Sequence, residues 1–428
     1  MSFSFSRCFL LTALLLLGSS LTLHAQPTAI VGGTVHPVSG PVIEDGVVLL
    51  EGDRIAAVGR RGEVPIPSQA RRVDANGMVV TPGLIDASTA TGLIEVGSLS
   101  STRDNALRGD PIRAAFRVTD GINPHSTVIP VTRLGGVTTV AATPSGGAIA
   151  GQSAVIDLID GPLSAMLVRD GAGLYATFTP DGADAVGGGR GGLSLRLREA
   201  FEDARFYRAQ RDAFARGATR SVAASRLDLA ALLPVLDGDI PLVMHAARAS
   251  DISASLRIAD EYGAHLVIEG GHEAWMRADA LAQSDTPVIL KPLSNLPTEF
   301  DRLGTRFDNA ARLAEAGVPV VLSTMDTHNA RNLRFEAGNA VRFGLDREAA
   351  LEAITLAPAR VLGIAESHGT LEAGKMANVV VWSGDPFEFS TAPAHIFIRG
   401  TAIPNDSRQQ RLLDRYRTLD GSPPQYKR

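Results

Sequence analysis

Two side chains of the kinds that hold metal ions or move protons sit at the ends of short apolar runs in the second half of the sequence. His245 closes the run Ile240-Pro241-Leu242-Val243-Met244, and Asp326 follows Leu322-Ser323-Thr324-Met325. Imidazole and carboxylate groups so placed can ligate a divalent cation or act as general acid and base. Glu269 and His272 bracket Gly270-Gly271 just after His265-Leu266-Val267-Ile268, and Lys291 follows Pro287-Val288-Ile289-Leu290. Nucleophilic chemistry has less support, because the chain has no Gly-x-Ser-x-Gly elbow. The run Gly187 to Gly192 reads as a mobile loop rather than a phosphate loop, since it lacks a Lys-Ser/Thr ending.

These residues need elements to hold them. Residues 1–25 do not contribute: one cation (Arg7), an apolar run from Phe9 to Leu17 and the exit Leu23-His24-Ala25 form the layout of a secretory signal peptide cut after Ala25. Cleavage there removes Cys8, the only cysteine, which excludes internal disulfides, thiolate metal sites and a cysteine nucleophile. From Ala29 to Val80, β-branched runs broken by Gly, Pro and Asp predict short strands. After Val79-Val80-Thr81-Pro82-Gly83 the pattern changes. Buried-strand candidates at Gly136–Val140, Ile240–His245, His265–Ile268, Pro287–Leu290 and Pro319–Leu322 alternate with helical stretches. The helical stretches run over Leu195–Phe214, Ala249–Tyr262, Ala274–Gln283, Phe307–Ala316 and Leu333–Phe343. That alternation predicts an α/β fold of the TIM type, a (β/α)8 barrel, over 81–368. Strands return at Ala377–Trp382 and His395–Gly400, so 27–80 and 369–403 are expected to form one small β-sandwich built from both chain ends. An amphipathic helix, Ser407–Leu419, and a Pro-rich tail complete 404–428.

Five stretches follow one another along the chain: VVTPGLIDA, INPHSTVIPVTRLGGVTTVAATPSGG, IPLVMHAARASDI, GLDREAALEAITLAPARVLGI and GTLEAGKMANVVVWSGDPF. In this order they resemble the amidohydrolase superfamily, in particular its imidazolonepropionase-like branch. The resemblance implies a barrel whose strand ends hold one or two divalent ions. A metal-bound water of lowered pKa then attacks a carbon–nitrogen centre, with an aspartate handling the proton. It also assigns the stretch around Gly136–Val140 to the third barrel strand.

Position by position, most of the implied ligands are missing. The first strand should end Asp-x-His-x-His, and here it reads Asp86-Ala87-Ser88-Thr89-Ala90, with Ser88 and Ala90 at the two imidazole positions. The bridging lysine of the fourth strand aligns with Tyr175, in Gly173-Leu174-Tyr175, or with Asp157 as a rival match. His245 stands at the ligand position of the fifth strand. Gly270 replaces the sixth-strand histidine, leaving Glu269 and His272 as neighbours that either reach the site or sit on a solvated rim. Asp326 matches the general base and metal ligand of the eighth strand, or else caps a helix or loop. Lys291 reads as a rim cation, and His328 has no assigned role. Two surviving ligands fall short of the three protein ligands a catalytic zinc requires.

The expected function follows from that deficit. The leading expectation is an exported, non-catalytic family member with no cofactor, binding a small molecule in the barrel pocket or serving as partner subunit of an active relative or of itself. The alternative is a hydrolase of a cyclic amide or dipeptide with a rebuilt single-metal site, one zinc-like ion held by His245, Asp326 and one or both of Glu269 and His272. A net charge of −5 without a basic run argues against nucleic acid, and no apolar segment after the signal would hold the chain in a membrane. The expected location is periplasmic or secreted.

Overall fold

The computed structural model describes residues 26–294, 296–404 and 408–417. The expected signal peptide, residues 1–25, and the tail at 418–428 lie outside the described residues. The first strands are β1 (Thr28–Val35), β2 (Ile43–Glu51), β3 (Arg54–Arg60), β4 (Arg71–Asp74) and β5 (Val79–Pro82). Their side chains alternate between two faces, as an extended chain requires. Ala29, Val31, Val47 and Leu49 fill one apolar cluster, while Ile30, Val48 and Leu50 fill another.

The barrel strands follow: β6 (Leu84–Thr89), β7 (Val137–Ala142), β8 (Ile149–Asp157), β9 (Leu167–Thr177), β10 (Leu242–Ala246), β11 (Leu266–Gly270), β12 (Val288–Leu290) and β13 (Val320–Leu322). They form one eight-stranded sheet in sequence order. All neighbours are parallel except that β8 runs antiparallel to both β7 and β9. Two expectations change here. Val137–Ala142 is the second barrel strand, not the third. The third is Ile149–Asp157, whose Gly151, Gln152 and Ser153 break the apolar run that would have marked it. Its reversal also departs from an all-parallel (β/α)8 order.

The chain then returns to the first sheet through β14 (Val379–Trp382), β15 (Pro393–Ile398) and β16 (Thr401–Ile403). β14 pairs antiparallel with β5, which joins both chain ends in one mixed sheet. The sheet curls until Ile55 N–H donates to the carbonyl of Lys375 at 2.9 Å, which makes it the expected sandwich. Val379 and Val381 face its core, whereas Val380 and Trp382 pack into the barrel's outer apolar core.

Helices fall close to their predicted places. Ala249–Tyr262 matches in full and ends at Gly263 in the left-handed conformation. The long helix before it starts earlier, at Arg190, so half of the Gly187–Gly192 stretch is a first helical turn rather than loop. The C-terminal helix is described over Arg408–Tyr416.

The barrel closes without a ladder between β13 and β6. Leu322 N–H donates to Ala353 C=O and Ile85 N–H to Ile354 C=O, both at 2.9 Å, so the segment after β13 bridges the seam. Side chains complete the closure. The buried Asp86 carboxylate on β6 accepts from the hydroxyls of Ser323 and Thr324 and from the backbone N–H groups of Thr324 and Ser88.

Candidate site at the barrel mouth

Barrel strands expose alternate residues to the interior. Ala87, Ala150, Tyr175, Val243, Val267, Ile289 and Val321 form one interior layer. Two residues further along β9 to β13, at the carboxyl ends, stand Thr177, His245, Glu269, Lys291 and Ser323. An apolar plug is thus topped by a polar layer, at the end of the barrel where such folds place their chemistry.

The ladder puts His245 directly opposite Glu269. His245 Nδ1 lies 3.1 Å from Glu269 Oε2. Burial pushes the Glu269 pKa up, but the contact with His245 and the nearby Ser88 hydroxyl outweigh it and hold the acid below its usual range. Glu269 is 8% exposed, and its Oε1 is buried without a hydrogen-bond partner. The solvated-rim placement of Glu269 is therefore incorrect, because its even spacing from Val267 turns it inward. His272 lies in the turn after β11, also with a buried, unpartnered Nδ1. Burial, then the charges of Arg302 and His245, lower its pKa to about 4, so it is neutral at physiological pH.

Gly270 ends β11 with φ +91°, a left-handed conformation. A Cβ there would stand 3.2–3.6 Å from the His245 ring. On the first strand, Ser88 is buried with its hydroxyl 3.4 Å from that of Thr143. Ala90 packs into the barrel's outer apolar core. Tyr175 fills the interior layer. Burial first, and the charge of Glu269 second, raise its pKa well above 10, so it remains a neutral phenol. Asp157, the rival for Tyr175's role, closes the reversed strand β8 and so belongs to the opposite end of the barrel. There it is buried among Thr139, Asn378, His368 and Arg399.

Asp326 is engaged by its own loop. Its Oδ1 accepts from the N–H groups of His328 and Asn329 at 2.9 and 3.0 Å, ahead of the short helix Ala330–Asn332. Lys291 Nζ is 3.9 Å from Oδ2, so the rim cation has a specific partner. Burial raises the Asp326 pKa, yet the bonds from Asn329 and the charge of Lys291 leave it lowered overall. The Nε2 of His328 lies 2.9 Å from Glu95 C=O, which fastens the loop after β13 to the loop after β6. The structure thus joins His245 to Glu269 and Asp326 to Lys291, as two separate pairs.

Among the described residues, no group of three or more His, Asp, Glu or Cys side chains is gathered closely enough to hold a metal ion. The donors at the mouth therefore do not fit a divalent ion in this arrangement. Two further acids, Asp86 and Glu336, are buried. In the sequence Asp86 stands in Asp86-Ala87-Ser88 as a landmark for the missing imidazoles. Glu336 lies on the helix Leu333–Arg342, accepts from Leu293 N–H at 2.7 Å, and is pushed up by burial to about 7. A cavity of about 630 Å³ opens at the other end of the barrel beside Arg169, Pro241, Leu266 and Pro287, and no predicted site residue lines it.

Comparison with known proteins follows the same lines. Residues 238–405 match the model of the amidohydrolase family. The crystal structure of an amidohydrolase from Thermotoga maritima MSB8 superposes with a TM-score of 0.80 at 30% identity, covering 88% of this chain and 99% of that one. An imidazolonepropionase of Pseudomonas paraeruginosa is 27% identical over 367 residues, 80% of this chain and 88% of its own length. The amidohydrolase tasK of Hapsidospora irregularis is 27% identical over 420 residues, and the chain spans only 42% of its length.

Proposed function

The chain belongs to the amidohydrolase family, and on that premise we propose that it is an exported, non-catalytic member that binds a small molecule at the mouth of its barrel. Within the family we place it beside the imidazolonepropionase-like branch, as an independent binder or as the partner of an active relative. The observation that carries this reading is the fate of the first-strand imidazole positions: Ser88 bonds within the polar layer and Ala90 is absorbed by the apolar core. Neither supplies a donor comparable to imidazole. The test is elemental analysis of protein purified without chelator, alongside hydrolysis assays on cyclic amides and dipeptides. The expected result is substoichiometric metal and no turnover. One metal per chain, lost in His245→Ala together with hydrolysis, would overturn the reading.

One observation favours the second reading, a single-metal hydrolase. Glu269 Oε1 and His272 Nδ1 are both buried without partners on either side of Gly270-Gly271, and such groups are rare unless something satisfies them. This reading requires the turn after β11 to swing His272 toward His245. Zinc titration followed by the His272 ring signals in NMR separates the two, since only the second reading has those signals shift with one equivalent. Export is tested by fractionation and by the N-terminal sequence of the mature protein, expected to begin at Gln26.

A further inference from the structure

Segment 112–117 lies along the start of β8, beyond the point where β7 ends. Arg113 N–H donates to Ile149 C=O at 3.0 Å, and Gln152 N–H to Phe116 C=O at 2.8 Å. Ile112 bridges Ile149 in parallel and shares its outer apolar core, just ahead of the turn that Phe116 N–H closes on Arg113 C=O. Neighbouring side chains at such a bridge alternate, so Arg113 projects the other way from Ile112. That is the side on which Ala150 of β8 joins Ala87 and Tyr175 in the barrel interior. Arg113 therefore hangs over the barrel mouth, above the apolar plug at the start of β8.

Its surroundings are unusual for an arginine. Arg113 is 8% exposed, and its Nε and Nη1 are buried with no hydrogen-bond partner. The charged group that acts on it is Asp110, whose Oδ1 is engaged by Ile112 N–H at 2.9 Å. Gly146 and Gly147, with φ of +87° and +70°, lie against the guanidinium, and a Cβ at either would come within 3.5 Å of it. Buried guanidinium groups are normally matched by carboxylate, phosphate or carbonyl oxygens. Two of its three nitrogens have been taken out of water and left unmatched, in a position that faces the mouth.

We infer that Arg113 is an anion-recognition residue, and that the ligand of this barrel carries an oxyanion, a carboxylate or a phosphate, which the Arg113 guanidinium receives. The inference rests on the ligand-binding reading and names the chemical class of that ligand. Arginine suits the task because it stays charged and presents several N–H donors in a rigid plane. The arrangement also sets a direction for entry, with the anion held on the β7–β8 side and the rest of the molecule reaching toward Glu269 and His245.

The test uses the full mature chain and three probes at constant ionic strength: acetate, inorganic phosphate and acetamide, the neutral shape-mimic of acetate. Thermal shift and calorimetric titration are expected to show saturable binding of at least one anion and no response to acetamide. Arg113→Gln should weaken that binding at least tenfold. Acetate winning over phosphate assigns a carboxylate ligand, and the reverse assigns a phosphate. Should Arg113→Gln fail to fold, Asp110→Asn keeps the turn to Ile112 while removing the competing negative charge, and should tighten anion binding two- to threefold. Equal binding by wild type and Arg113→Gln, no saturable response to either anion, or no gain in Asp110→Asn would overturn the assignment. Saturable binding of acetamide alone would also overturn it, while leaving the broader ligand-binding reading in place. Turnover in the metal assay would do the opposite.

Discussion

The seam between β13 and β6 makes a quantitative prediction through Asp86. Burial raises this acid from 3.8 to about 6, against the pull of the Ser323 and Thr324 hydroxyls and two backbone N–H groups. A carboxyl that holds its proton more tightly folded than unfolded binds more protons in the native state between pH 3.8 and 6. Its ionisation therefore subtracts stability as pH rises through that window. A shift of roughly two units corresponds to about 3 kcal/mol. In Asp86→Asn the side chain cannot ionise, so it mimics the protonated acid, while its amide loses part of the four-donor clasp. The variant should be less stable than wild type at pH 4, and the gap should close by about 3 kcal/mol by pH 7.5. Urea denaturation at both pH values measures the difference, and subtracting one protein from the other cancels the remaining titrating groups. A gap that stays constant within about 0.5 kcal/mol, or that widens with pH, would refute the assignment of Asp86 as a desolvated clasp.

Three further outcomes can be checked by the same denaturation assay. Glu336 is raised from 4.5 to about 7 by burial, so its ionisation costs stability as pH climbs across that range, and Glu336→Gln should gain about 3 kcal/mol on wild type between pH 4.5 and 8. Asp157 has the opposite sign. Burial opposes its charge, but His368 and Arg399 hold its pKa below the usual value. Its contribution is therefore present above the unfolded pKa and lost as pH falls through the folded one, and Asp157→Asn should cost about 3 kcal/mol at neutral pH by leaving the half-buried Arg399 guanidinium without its carboxylate. Gly270→His should destabilise by about 1–2 kcal/mol from backbone strain alone, and metal content should not rise.

The fold was largely legible because parallel strands buried on both faces read as unbroken apolar runs. Pro287–Leu290 and Pro319–Leu322 are found this way. The reversed strand Ile149–Asp157 was not, since strand direction leaves no mark on local hydrophobicity and Gln152 and Ser153 interrupt the run. The absence of imidazole at residues 88, 90 and 270 is legible by alignment alone. What replaces it is not. The pairing of His245 with Glu269 depends on the register between two strands separated by a helix, which no local pattern encodes. Arg113 was invisible for a related reason: a charged residue next to Asp110-Pro111 reads as exposed loop, and only the track along β8 buries it.

The left-handed backbone at Gly270 bears on how this barrel could ever change course. If the sixth-strand imidazole had simply been trimmed away, putting it back would be a matter of one codon. Here the main chain has settled into a geometry that a residue with a Cβ adopts only under strain, with the His245 ring in tight contact with the place where the new side chain would begin. On the reading proposed above, loss at this position acts as a ratchet. Recovery of the ancestral chemistry would require the β11 terminus to be rebuilt before any ligand could be added, whereas improvement as a receptor needs changes only to residues that already face the mouth.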